Sequence, residues 1–130
     1  MPDRQWVDQA GNRLLLLDRG GGGRVVWQMC DAQGRYSEIA ELAMEQQLAV
    51  LGYLELHGVG VLRNWLDWDG DELRILQRTD GDRGVLVAIY SHDDGGPLAP
   101  VELSREQTRE LRGYLAEQLR QPLRAMDRGR

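Results

Sequence analysis

Gln5 to Val26, QWVDQAGNRLLLLDRGGGGRVV, recurs as Asn64 to Val85, NWLDWDGDELRILQRTDGDRGV, at a shift of 59 positions. Nine of the 22 positions are identical: Trp6/Trp65, Asp8/Asp67, Gly11/Gly70, Leu14/Leu73, Leu17/Leu76, Arg19/Arg78, Gly22/Gly81, Arg24/Arg83 and Val26/Val85. After two extra residues in the second copy the likeness resumes at a shift of 61, where Glu41-Leu42, Glu45-Gln46 and Gly52-Tyr53-Leu54 recur as Glu102-Leu103, Glu106-Gln107 and Gly113-Tyr114-Leu115. The chain is a tandem repeat. A repeat of roughly 55–60 residues buries too small a fraction of its surface to be comfortable alone, so the copies are expected to share one core.

Each copy reads as ββββα. In the first, Arg4 to Gln9 is expected as a strand, Gln9 to Asn12 as a turn, and Asn12 to Arg19 as a second strand with the apolar run Leu14 to Leu17. Gly20 to Gly23 turns the chain into a third strand, Arg24 to Asp31, rich in β-favouring Val25, Val26 and Trp27. Tyr36 to Leu42 reads as a fourth strand, and about Met44 to His57 as a helix with Gly58 at its C-terminal cap. Ile39 and Leu42 also suit a helix, but the matching segment of the second copy carries Pro97 and Pro100, which a helix interior does not tolerate.

The second copy has strands at Val61 to Trp68, Glu72 to Arg78, Gly84 to Ser91 and, kept to an edge by its prolines, Leu98 to Leu103. Ser104 and Gln107 form a capping box opening a helix to about Gln121, where Pro122 is expected to end it. The expected fold class is α+β: two antiparallel sheets, each with one helix, related by a pseudo-two-fold within a single domain over 1–130. Its repeats cover about 4–58 and 61–121, and 122–130 is a loosely ordered tail.

Composition narrows the function classes. All sixteen basic residues are Arg, Phe is absent, and the net charge is -5, which argues against binding driven by bulk charge but leaves room for a local Arg-lined face. Cys30 is the lone cysteine, which fits a reducing compartment. No signal-peptide pattern opens the chain and no apolar run approaches the ~20 residues of a membrane helix, so a cytoplasmic protein without membrane association is expected.

The motifs that invite chemistry have plainer readings. Gly20 to Gly23 precedes a strand rather than a helix, and its counterpart is Thr79-Asp80-Gly81-Asp82, so a β-turn is favoured over a phosphate loop. Asp67 to Glu72 resembles the start of a calcium loop, but its glycine comes fourth and Arg78 stands at the twelfth place, and Asp-Gly is the usual hairpin dipeptide. His57 and His92 occupy non-equivalent places, and with one Cys no zinc spacing exists. Ser37, Ser91 and Ser104 lack a nucleophile context. Asp69/Asp71 and Asp93/Asp94 sit in turns. No catalytic residue, metal or cofactor is expected.

The duplication singles out Arg19/Arg78 and Arg24/Arg83, flanking the same hairpin in both copies. Arg13, Leu15, Leu17 and Arg19 share one strand face, as do Arg74, Leu76 and Arg78. The opposite face, with Leu14/Leu73 and Leu16/Ile75, is apolar in both copies and is expected under the helices. The Arg-edged face can hold phosphates or stack bases, or it can consist of solvated arginines paired with nearby acids. Trp6 and Trp65 are a matched packing pair, and core or interface packing is expected for Trp27 and Trp68 as well.

The second helix has one apolar stripe of Leu111, Leu115 and Leu119, with Arg109 and Arg112 elsewhere, whereas the first helix carries Leu48 and Leu51 at those two places. That wider apolar arc is expected to be covered by more than its own sheet, either by the other helix or by another subunit, which makes Leu48 and Leu51 candidate interface residues.

The paired ββββα units, the helix segment Glu110 to Leu115 (ELRGYL) and the preceding Val101-Glu102-Leu103-Ser104 resemble the PUR repeat and, more broadly, the Whirly and positive-cofactor-four-like group of single-strand nucleic-acid-binding proteins. The resemblance implies two repeats intertwined in one domain, frequent dimerisation, and strands that present basic and aromatic residues to single-stranded DNA or RNA. The positions it carries over are Arg19, Arg24, Arg74, Arg78 and Arg83. The expected function is that of a non-enzymatic binding module for single-stranded nucleic acid. The alternative is a protein-interaction module, a phage or immunity-type inhibitor or adaptor, that uses the acidic surface and the apolar first helix.

Overall fold

In the computed structural model Leu14, Leu16, Leu73 and Ile75 are fully buried, so the strand face expected beneath the helices is the core face in both copies. The structure describes residues 4–18, 24–34, 37–56, 61–78, 84–91 and 100–128, and the side chains of all these except 37 and 121–128. The first copy forms β1 (Arg4–Val7), β2 (Arg13–Asp18), β3 (Val25–Cys30), β4 (Ser37–Leu42) and α1 (Met44–Glu55); the second forms β5 (Leu62–Leu66), β6 (Glu72–Gln77), β7 (Val85–Tyr90), β8 (Val101–Leu103) and α2 (Arg105–Arg128). Each copy is one antiparallel four-stranded meander, β1-β2-β3-β4 and β5-β6-β7-β8. The expected tandem ββββα architecture is the observed one.

The register corrects one expected equivalence. Val25 pairs with Leu42, and Val85 pairs with Leu103. The counterpart of Val85 is therefore Val25, not Val26; Val26 sits opposite Leu17 as Leu86 sits opposite Leu76. One of the two extra residues of the second copy thus falls in the β6–β7 hairpin, and Arg24 stands at the place of Gly84 rather than of Arg83. Identity alone misplaced the gap because Val25 and Val26 are chemically the same.

Helix α2 also differs from expectation, because it continues through Pro122 to Arg128 instead of stopping before the proline. Proline removes one intrahelical donor, but the residues around it, Gln121, Leu123, Arg124, Ala125 and Met126, favour the helix. At its start Ser104 and Gln107 make the expected box: Gln107 N donates to Ser104 Oγ at 3.1 Å and Ser104 N donates to Gln107 Oε1 at 3.0 Å. Helix α1 keeps half of this device, since Ala43 stands in place of the serine and only its N–H reaches Gln46 Oε1, at 3.0 Å. The expected cap Gly58 lies outside the described residues, as do Gly20 to Gly23, His57 and His92.

The copies are joined by contacts that occur twice with roles exchanged. Asp8 closes its own turn by accepting Asn12 N–H at Oδ1, 2.9 Å, while its Oδ2 accepts Glu102 N–H of β8 at 3.0 Å. Asp67 closes the matching turn by accepting Asp71 N–H at 2.9 Å, and its Oδ2 accepts Glu41 N–H of β4 at 3.0 Å. Gly11 and Gly70 supply the positive φ, 90° and 86°, that these turns require. Gln107 Nε2 donates to Val7 O at 2.9 Å, and Gln46 Nε2 donates to Leu66 O. Trp6 meets Tyr114 edge-on with centroids 6.3 Å apart, and Trp65 meets Tyr53 likewise at 5.9 Å. Such aromatic pairs contribute about 0.5–1.5 kcal/mol each beyond the burial of their area. The outer strands β4 and β8 thereby have edge N–H groups bonded by the other copy, which blunts edges that would otherwise invite further strands.

Both helices line the shared core and touch one another. Gln47 of α1 is fully buried, donating to Val25 O and Leu42 O at 3.0 and 3.3 Å and accepting Trp27 Nε1 at 3.0 Å. The Tyr53 hydroxyl lies within bonding distance of the carbonyls of Val61 and Ile75 and accepts Gln77 N–H at 3.2 Å, so α1 is tied to both sheets. Leu51 packs on the core and α1 touches α2, whereas Leu48, one turn earlier, is 38% exposed. Among the described residues no helix is long and apolar enough to cross a membrane.

Candidate functional site

The pleat that buries Leu73, Ile75 and Gln77 turns Glu72, Arg74 and Leu76 outward, and pairing with β5 and β7 surrounds them with Leu62, Asn64, Leu66, Leu86, Ala88 and Tyr90. This outer face of the second sheet is the Arg-edged face expected from the sequence. Arg74 stands at its centre, but its guanidinium is already engaged. Nε bonds Glu72 Oε1, the guanidinium carbon lies 3.9 Å from the Tyr90 ring centroid, and Glu72 Oε2 accepts Asn64 Nδ2 at 3.0 Å. The Asn64 amide, and then the Arg74 guanidinium, hold the Glu72 carboxyl below its ordinary range against the opposing effect of burial. Glu72 in turn pushes Arg74 higher. Arg74 is held by an acid and a ring, the arrangement that makes an arginine least available to a phosphate.

Arg78 is also partly committed. It is half-buried, and Nη1 donates to Leu103 O at 3.2 Å while its backbone N donates to Gly84 O at 2.9 Å, fastening β6 to the β7–β8 end of the sheet. Arg24 alone of the described candidates is exposed rather than half-buried; it lines a cleft of about 190 Å³ with Glu41, Asp67, Trp68 and Asp69 at the junction of the two copies. Arg19 and Arg83 lie outside the described residues. The structure therefore does not gather Arg24, Arg74 and Arg78 into one surface, because Arg74 faces outward in mid-sheet while Arg78 and Arg24 flank different hairpins.

What the outer face offers instead is apolar surface. Leu62 and Leu66 are 55% and 57% exposed, with half-buried Leu76, Leu86 and Tyr90 beside them. The first sheet repeats the character more weakly, through Val7, Leu15, Leu17 and Ile39, with the half-buried Cys30. Trp68 is 94% exposed, so of the core or interface packing expected for it the core is ruled out; the hairpin turn carries it out past the strand end. Trp6, Trp27 and Trp65 pack as expected.

Asp67, Asp69 and Asp71 bring carboxylate oxygens within 4.8 Å of one another. Asp67 Oδ1 already accepts Asp69 N–H and Asp71 N–H, and Oδ2 accepts Glu41 N–H, so this carboxylate serves the hairpin and the joint between copies. That is the hairpin reading of the Asp-Gly turn.

Sequence reasoning gave Gln107 its cap and Asp67 its hairpin turn but assigned neither Asp8 nor Gln46, and it gave none of the four a contact between the copies, although all four were among the identities between them. The signal was present; what was missing was knowledge of which backbone groups they would meet. No family model and no curated protein matches the chain.

Proposed function

We propose that this chain is a non-enzymatic binding module that engages a protein partner through the outer face of the second sheet. The observation that carries the reading is the state of Arg74. A phosphate-reading surface keeps its guanidinium groups free for bidentate contact, whereas Arg74 is bonded to Glu72 and laid on Tyr90, leaving an exposed apolar surface of Leu62 and Leu66 around a neutralised ion pair. Apolar patches rimmed by polar groups are what protein interfaces use. The net charge of -5 supports the same choice, and the single cysteine goes with a cytoplasmic setting.

The test has two stages. Sedimentation of the purified chain first asks whether a second copy occupies this face. Co-purification from the native host, with Leu62→Arg and Leu66→Arg together as the control, then asks for a separate partner. A stoichiometric companion or a dimer that the double variant loses is the expected result. A monomer with no companion, or association untouched by the double variant, overturns the reading.

Single-stranded nucleic acid is the second reading, in keeping with the resemblance to PUR and Whirly proteins. Its specific support is the cleft shared by Arg24 and the exposed Trp68, a cation beside a stacking platform. Fluorescence anisotropy with mixed single-stranded DNA and RNA at low salt tests it. Binding abolished by Arg24→Ala with Trp68→Ala would favour it over the protein reading, and absence of binding at tens of micromolar would remove it.

A further inference from the structure

At a shift of 61 the counterparts of Met44, Gln47, Leu48 and Leu51 are Arg105, Thr108, Arg109 and Arg112. In the first copy Gln47 fills the space between helix and sheet and spends its whole amide on Val25, Leu42 and Trp27. In the second copy the shorter Thr108 stands there, and Val87 replaces Trp27. The space left open is a cavity of about 260 Å³ lined by Leu54, Gln77, Val85 and Thr108 together with Arg105, Arg109 and Arg112.

Three features of this cavity belong together. Arg105, Arg109 and Arg112 follow the spacing of one helix face, so three cations converge on one opening, and none of the described lining residues is acidic. Among the described residues none of the three makes an ion pair; the pairs formed are Arg4–Glu110, Arg74–Glu72 and Arg120–Glu117. Thr108, only 7% exposed, lines the cavity, and its hydroxyl has no hydrogen-bond partner among the described residues. A buried orphan hydroxyl costs free energy unless something supplies its bond. Three arginines with no ion pair among the described residues define what that something is.

We propose that this cavity binds a small multivalent oxyanion, a phosphoryl group carried either by inorganic phosphate or by a small phosphomonoester. Guanidinium groups meet phosphoryl oxygens in bidentate, charge-assisted pairs. Rotation about χ1 brings the Thr108 hydroxyl to a further oxygen, while Leu54 and Val85 line the inner side. At about 260 Å³ the cavity lies below the ~300–1,000 Å³ of sites for drug-sized ligands, so the ligand is a phosphoryl group with little attached to it. The site is separate from the outer sheet face and independent of the partner engaged there.

Titration calorimetry on the full chain at low ionic strength and neutral pH tests this, with inorganic phosphate, glycerol 3-phosphate and, as a univalent control, acetate. Saturable binding with a dissociation constant of roughly 1 mM or tighter is expected for at least one phosphoryl probe, with none for acetate. The tighter of the two phosphoryl probes identifies the source. Arg109→Leu with Arg112→Leu, which installs the residues of the first copy, is expected to weaken binding by roughly a hundredfold, and the near-isosteric Thr108→Val by roughly tenfold. Both variants should keep the wild-type far-UV dichroism. Absence of saturable binding to the wild-type chain through roughly 10 mM, an acetate response equal to that of phosphate, or unchanged affinity in the double arginine variant overturns the proposal.

Discussion

The Asp8 carboxylate accepts the Glu102 N–H at 3.0 Å across 94 positions of sequence, and Asp67 does the same for Glu41 in the opposite sense. Each aspartate closes a turn with one oxygen and holds the other copy's outermost strand with the second. Asp8→Ala, which loses two hydrogen bonds to a charged acceptor, is expected to cost about 2 kcal/mol, and Asp67→Ala, which loses three, at least as much, with the double variant close to the sum. Urea denaturation followed by far-UV dichroism measures it; a neutral result for both single variants would remove these residues from the joint.

Gln47 satisfies two carbonyls and an indole in a site closed to water. Gln47→Leu keeps the volume but orphans those three groups, and about 3 kcal/mol of destabilisation is expected. Trp27 emission should shift in the same variant, because its indole N–H loses its acceptor. Unchanged stability with unchanged emission would show that the amide contributes only volume.

Two ionisations shape stability at opposite ends of the pH scale. Glu72 titrates below its ordinary 4.5 in the fold, chiefly through the Asn64 amide and then Arg74. Its contribution is therefore complete above pH 4.5 and is lost as pH falls through the lower folded value. Tyr53 is raised above its ordinary 10.0, chiefly by burial. Its contribution is complete below pH 10.0 and is lost as pH rises through the higher folded value. Glu72→Gln should flatten the acid limb and Tyr53→Phe the alkaline limb of a stability-against-pH curve. Parallel curves for wild type and variants would contradict both assignments.

Gly84 enters β7 so close to β8 that a Cβ built there would sit 1.9 Å from Leu103 O. The obstacle is backbone, which cannot swing aside as a side chain can. Gly84→Ala should cost about 2–3 kcal/mol through displacement of the strand pair. Gly52→Ala, with nothing within 4 Å of the added carbon, is the matched control and should be neutral or stabilising. Equal stabilities for the two variants would contradict the close approach.

Most of the architecture was legible because the chain states it twice. Pro97 and Pro100 excluded a helix at Ser37–Leu42 even though the first copy is ambiguous there, and Ser104 with Gln107 marked the start of α2 to the residue. Pro122 misled because a proline is a local penalty that neighbouring helix formers can outweigh. The arginines were hard to read for a different reason. What Arg74 does depends on Glu72, two places away on the same pleated face, and on Tyr90, which only the β6–β7 register brings near. What Arg78 does depends on a carbonyl 25 positions on. The contrast of Leu48 and Leu51 with Arg109 and Arg112 was visible in the sequence, but the cavity behind it was not, because its emptiness comes from Thr108 being shorter than Gln47 in a place only packing reveals.

The reciprocal joint has a further consequence. One copy carries both sides of the contacts that occur twice: an aspartate and the strand N–H it seeks, a tryptophan and the tyrosine it meets, a glutamine and the carbonyl it binds. The joint is therefore self-complementary, and each half of this polypeptide has the chemistry to recognise a twin of itself.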